Sequence, residues 1–270
     1  GARVSLFDVS MDHALKDRKY LESELRSALA RGALTLVYQP QVNSKGVIFG
    51  VEALARWHSP GRGDISPAVF IPLAETCGLS DAIGLFVLRQ AFIDARRWPH
   101  LKVAVNLSIS QIRNGNLLED IRGLIAETGA TARNIELEIT EGVFLEEGND
   151  VFETLAGLRR MGFSIALDDF GTGYSSLAYL RRFPVDKIKI DRSFVSQLGM
   201  RPESSAIIRA IVDLADALEL RVLAEGVENR AQAERLAEVG CHLYQGFHFS
   251  PGVTPETVDQ IVAAGARMAA

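Results

Sequence analysis

Only two cysteines stand in the 270 residues, Cys77 and Cys241, with neither metal nor redox spacing, so a disulfide framework, a zinc knuckle and a dithiol redox site are all excluded. The five histidines (His13, His58, His100, His242, His248) never fall into ligand spacing, which argues against an imidazole-bound zinc. No basic run occurs and the net charge is -5, so neither DNA nor RNA duplexes are expected partners. Nothing resembles a signal peptide or a membrane span. A reducing cytoplasm is the expected home, although a longer protein could be tethered to a membrane by segments outside this sequence. Internal Pro/Gly/Ser linkers, low-complexity tracts and strong sequence repeats are missing as well. What remains is 47% apolar and 23% charged, the composition of an ordinary globular domain with room for a substantial core.

Residues 1–10 look like the edge of something longer. From Met11 to Arg31 the pattern becomes helical, with Leu21, Leu25 and Leu29 four apart and charges between them, until Gly32 stops it. This helix is either the packed start of the domain or a connector from an upstream module. The expected division is therefore residues 1–31 as terminal segment and connector helix, and 32–270 as one domain.

Strand-like runs recur near residues 34–39, 47–54, 102–106, 135–139, 164–168, 186–190, 221–225 and 242–247, mostly separated by helical patterns. Eight strands with helical crossovers predict an α/β fold, a TIM-like (β/α)8 barrel. Only Val42 to Lys45 separates the first two runs, too little for a parallel crossover, so one antiparallel strand near the N-terminus is expected.

Side chains alternate along a strand. Val51, Val105, Leu137, Leu167, Ile188 and Ala224 share one parity and suit the helix-covered outside, while Glu52, Asn106, Glu138, Asp168, Lys189 and Glu225 take the other. Six strands thus direct polar groups to one interior face. A single one of these residues could be a rim salt bridge, but charges gathered inside a barrel need a metal or one another. The stretch Phe163 to Leu177 sharpens the point. It delivers Asp168 and Asp169 side by side at a strand end, then breaks at Gly171-Thr172-Gly173 before Ser175 and Ser176 open a helical pattern. Adjacent carboxylates repel each other and persist mainly when a cation neutralises them, so this stretch predicts a divalent metal site. A structural turn is the alternative. A dinucleotide fingerprint fails because Ser176 replaces the last glycine, and Asp169-Phe170-Gly171 lacks the other kinase signatures. Oxygen ligands favour magnesium or manganese.

Glu52-Ala53-Leu54 followed by Arg56 resembles the signature of the EAL family of cyclic di-GMP phosphodiesterases. The resemblance continues through Tyr38-Gln39-Pro40, Phe70 to Glu75, Asn106-Leu107-Ser108, Glu136 to Glu141, Asp168 to Leu177, Lys189-Ile190-Asp191, Ala224 to Glu228 and Gln245-Gly246. It implies that two Mg2+ or Mn2+ ions act on cyclic di-GMP, releasing linear pGpG. Glu52, Asn106, Glu138 and Asp168 match ligands of a first metal, and Asp168 with Asp169 those of a second. Glu225 matches a general base or second-metal partner, and Lys189 the lysine that positions the attacking water. Gln39, Leu54, Arg56 and Gln245 match substrate contacts, and Glu141 and Glu228 supporting acids, the former holding the loop from Asp169 to Ser176. The resemblance also implies inhibition by Ca2+, a homodimer formed near Ser175 to Arg182, and an upstream sensory or GGDEF-type module. A catalytically silent cyclic di-GMP receptor is the alternative, but such modules are expected to lose ligands, and every matching position is intact. One departure is Thr76-Cys77-Gly78, where the family usually has Glu-Thr-Gly. Glu136 shares the interior parity without an assigned role, with Lys187 or Lys102 as its candidate partner.

Overall fold

The computed structural model describes residues 9–145, 150–173, 177–200, 202–265 and 268, so the expected helix opening at Ser175 and Ser176 lies outside the described residues. The chain divides into two compact units, Gly1–Thr35 with Ala55–Leu85, and Leu36–Leu54 with Phe86–Ala270.

The larger unit realises the alternation read from the sequence. Strands β1 (Leu34–Asn43), β2 (Ile48–Ser59), β4 (Lys102–Asn106), β5 (Ile135–Thr140), β6 (Ser164–Phe170), β7 (Lys187–Ile190), β8 (Arg221–Ala224) and β9 (Leu243–Gln245) pair in the order β1-β9-β8-β7-β6-β5-β4-β2. A β1–β2 pairing closes the ring into an eight-stranded barrel. β1 runs antiparallel to β9, and the remaining neighbours from β2 round to β9 are parallel, as expected from the short first connection. The connection itself sits two residues later than expected, because the Asn43 side chain accepts the amides of Lys45 (2.9 Å) and Val47 (3.1 Å) while Gly46 takes the left-handed φ of 72°.

Helices α3 (Ser80–Ala95), α5 (Leu117–Thr128), α6 (Asp150–Arg160), α9 (Pro202–Ala217) and α10 (Arg230–Glu238) lie between the strands; α2 is Pro67–Thr76, α4 Ile109–Arg113, α7 Leu177–Arg182, α8 Arg192–Ser196 and α11 Pro255–Ala263. In α5 the pattern is plain: Leu117, Ile121 and Leu124 are buried on one face, and Gly129 ends the helix at φ 67° with its amide on the Ile125 carbonyl. β9 stops at Gln245, two residues short of the expected run. There the main chain of Gly246 presses against Val227, leaving no place for a β-carbon, which would lie 2.1 Å from the Val227 carbonyl oxygen.

In the smaller unit, α1 (Val9–Arg31) buries Leu25 and Ala28. Gly32, at φ 64°, ends it as the sequence implied, with its amide on Leu29 and that of Ala33 on Ala28. Arg26 donates to the Cys77 carbonyl at 2.9 Å, and Trp57 meets Phe70 edge to face at 6.0 Å. The far end of β2 pairs with a short strand, β3 (Gly63–Ile65), that the sequence pattern did not reveal. Among the described residues no helix is long and apolar enough to cross a membrane.

Candidate active site

Lys189, fully buried on β7, is the centre of the barrel's polar face. Its ammonium lies 2.7 Å from Glu138 on β5, 2.6 Å from Glu225 just past β8, 3.2 Å from Asp168 on β6 and 3.7 Å from Glu52 on β2. Five of the six residues that shared the inward parity therefore converge. The sixth, Asn106, stands at the open end of β4 and donates to Glu52 Oε1 at 2.8 Å. The opposite parity (Val51, Val105, Leu137, Leu167, Ile188, Ala224) is completely buried, as its apolar character requires.

One ammonium does not balance four carboxylates in a desolvated place, and the protonation equilibria record the excess. Burial, reinforced by Glu52 and Asp168 and only partly offset by Lys189, holds the Glu138 carboxyl well above the ordinary range. Burial also pushes Glu225 up to about 8 against the pull of Lys189. Asp169 is raised by burial and by Asp168. Glu52 is the exception: burial opposes its ionisation, but Lys189 and the hydrogen bonds from Gln245 and Asn106 prevail and keep it low. For Lys189 burial favours loss of the proton, and the four surrounding acids outweigh it.

Adjacent residues of a regular strand face opposite ways, yet Asp168 and Asp169 both reach the site. The reason is a break in β6. Register slips between Leu167 and Phe170 against β7, and Asp169 adopts φ 54°, left-handed backbone that is uncommon for a residue with a β-carbon. Asp168, Asp169 and Glu225 each place a carboxylate oxygen within 4.8 Å of the others, a group able to hold a metal ion. Glu138 Oε1 is buried without a hydrogen-bond partner among the described residues. An orphaned carboxylate oxygen beside a cluster of acids, with no imidazole in it, fits a hard cation that prefers oxygen donors.

The loop after β6 is held from beneath. The two oxygens of Glu141 accept the amides of Gly171 (2.8 Å) and Gly173 (2.9 Å), and Thr172 Oγ1 donates to the Asp169 carbonyl at 2.9 Å. A β-carbon at residue 173 would fall 2.7 Å from the Glu141 carboxylate, so glycine is needed for this approach.

Glu52 is oriented by glutamines. Gln245 Nε2 donates to Glu52 Oε2 at 2.5 Å and to Gln39 Oε1 at 3.1 Å; Gln245 Oε1 accepts from Gln41 Nε2 at 3.0 Å. Gln245, expected to touch substrate, is thus buried and directed at a carboxylate. Gln39 is half-buried and donates to the Ser250 carbonyl at 3.1 Å. Sequence reasoning passed over Gln41, although its alternation with Tyr38, Pro40 and Val42 carried the same inward signal as Gln39. Leu54 is half-buried in β2. Arg56 belongs to the smaller unit, where its guanidinium donates to the Ala55 carbonyl. Glu228 is exposed, and its main-chain amide donates to Gln232 at 2.7 Å. One layer further into the barrel, Glu136 pairs with Lys187, whose ammonium also lies 5.4 Å from the Phe49 ring centroid; Lys102, the other candidate partner, instead bonds the Arg133 carbonyl and Ser164.

A family model described as the EAL domain matches residues 22–252. Protein y4lL of Sinorhizobium fredii is 45% identical over 251 residues, 92% of this chain and 30% of its own length. The bifunctional diguanylate cyclase/cyclic di-GMP phosphodiesterase MucR of Pseudomonas aeruginosa is 39% identical over 264 residues, 96% of this chain and 38% of its own. The chain therefore spans well under half the length of these curated relatives. The solved structure of the PaMucR phosphodiesterase in its c-di-GMP complex superposes with a TM-score of 0.84 at 39% identity, covering 88% of this chain and 99% of that one. With the match over residues 22–252 and the shared barrel, the chain belongs to the EAL domain family.

Proposed function

We propose that this domain hydrolyses cyclic di-GMP to linear pGpG with two magnesium or manganese ions held by the acids of the barrel mouth. The observation that carries the reading is the convergence of Glu52, Glu138, Asp168 and Glu225 on one buried ammonium, next to a Glu138 oxygen that no described protein group satisfies. MucR, named for this activity, and the PaMucR complex with the nucleotide support the choice of substrate.

In this reading Glu52, Asn106, Glu138 and Asp168 would hold one cation, and Asp168 and Asp169 would serve the other. When bound, the cations supply Lewis-acid polarisation of the phosphodiester and a water of lowered pKa. Lys189 contributes a fixed positive charge among the carboxylates and a donor for the attacking water. Glu225, partly open at the mouth, either receives that water's proton or completes the second cation's ligands. Gln245 and Asn106 hold Glu52 in one orientation, and Glu141 holds the loop that carries Asp169.

Incubating the purified chain with cyclic di-GMP and Mg2+ or Mn2+, then separating nucleotides by ion-exchange chromatography, tests the proposal. pGpG should accumulate and EDTA should stop it. Replacing the cation by Ca2+ should suppress turnover, because calcium takes longer bonds and more ligands. Calorimetric binding of the nucleotide with no product under any cation would replace hydrolysis by a receptor role.

A further inference from the structure

Phe247 is 73% exposed, the most exposed aromatic side chain among the described residues. Apolar rings turned to water usually sit on loose tips, but the turn carrying this one is pinned on both sides. Gln245 O accepts the Val227 amide and Val227 O accepts the His248 amide, both at 3.0 Å; Gly246 O accepts the amides of Phe249 and Ser250, both at 3.1 Å. Phe249, the other aromatic of the turn, folds inward and stacks on Tyr244 with ring centroids 5.8 Å apart. The contact of Gly246 with Val227 is too close for any side chain at residue 246. Phe247 is therefore held outward by a fixed backbone.

Its place in the fold gives the exposed ring a use. Phe247 follows by two residues Gln245, whose amide reaches Glu52, and its turn is bonded to Val227, two residues beyond Glu225. It stands on the rim at the carboxyl ends of β8 and β9, the end of a barrel where ligands gather. The acids and ammonium within suit a phosphodiester and its cations, and offer nothing to the flat face of a nucleobase. A rigid exposed ring on that rim does, since base–aromatic stacking needs no hydrogen-bond code.

We propose that Phe247 is the stacking platform for a purine base of the nucleotide whose phosphodiester occupies the acidic mouth, and so is a substrate-positioning residue. This rests on the function proposed above. Phe247→Ala should raise KM for cyclic di-GMP about tenfold, within the range that alanine substitution of stacking residues produces, with kcat changed much less and Mn2+ affinity unchanged. Phe247→Tyr should restore the parental KM, which separates loss of a ring from damage to the turn.

Phe247→Trp gives a reading that does not depend on turnover. Trp57 and Trp98 are both buried, so an indole at residue 247 is the exposed emitter. Cyclic di-GMP added with Ca2+ should quench it, whereas ribose 5-phosphate should not. A parental KM in Phe247→Ala, or absence of quenching in Phe247→Trp, would overturn the stacking role and leave hydrolysis standing. Quenching by cyclic di-GMP in a protein that makes no pGpG would uphold the platform and remove the hydrolytic reading.

Discussion

Lys189→Met tests whether one ammonium holds the barrel's acids together, since it removes the charge and keeps most of the side chain's bulk. Lys189 is fully buried and lies within 3.2 Å of Glu138, Glu225 and Asp168. Removing one partner of a buried ion pair costs about 3–5 kcal/mol. Part of this is relieved when the abandoned carboxyls take up protons, to which Glu138 and Glu225 already incline, so the lower end, about 3 kcal/mol, is expected without metal. At about 2–4 °C per kcal/mol for a chain of this size, Tm should fall by about 6–12 °C in EDTA. The sign with pH follows from Glu52, whose carboxyl Lys189 helps to hold below its ordinary value against burial. That contribution is present above the ordinary carboxylate range and is lost as pH falls through the lowered folded pKa. The deficit of the variant should therefore be small in acid and widen as pH rises to neutrality. Manganese at a hundred times its Kd adds about 2.7 kcal/mol and takes over the neutralisation, so it should restore most of the lost Tm without restoring hydrolysis. Differential scanning fluorimetry in EDTA and in Mn2+, with nucleotide chromatography on the same samples, reads both effects. A parental Tm in EDTA, or parental turnover with manganese, would refute the reasoning.

Four further outcomes are expected. Glu52→Ala should abolish pGpG formation while a single cooperative unfolding transition survives in circular dichroism, and near-parental turnover would contradict its place among the cation ligands. Glu141→Ala removes the acceptor for the Gly171 and Gly173 amides and should move the Mn2+ activation midpoint to higher concentration together with a lower rate; an unmoved midpoint would show that the loop needs no such support. Gln41→Leu frees the Gln245 amide and should weaken Mn2+ binding about tenfold by calorimetry, the low end of the effect of losing a partner that orients a ligand, and parental affinity would dismiss the relay. At pH 8 a thiol reagent should label only Cys77 in the native protein, because burial pushes the Cys241 thiol up to about 12, whereas both should react in denaturant; rapid labelling of two thiols in the native state would contradict the packing around Cys241.

Strand periodicity by itself determined which side chains enter the barrel, because a period of two leaves no freedom once one face is apolar. Glu52, Glu138, Asp168, Lys189 and Glu225 were legible for that reason, as was the reversed first strand, whose connection is too short to cross over. Gly32 closed its helix as local chain stereochemistry demands. Tertiary structure alone decided the features that depend on two segments meeting. The bulge that turns Asp169 toward Asp168 arises from a register slip between β6 and β7, which neither strand carries alone. Lys187 rather than Lys102 became the partner of Glu136, and Gln245 turned to Glu52, because distances across the barrel are set by the closed sheet and not by sequence separation. Phe247 lies in water on a turn set in the same way: the Val227 backbone, twenty residues earlier in the chain, pins both of its sides.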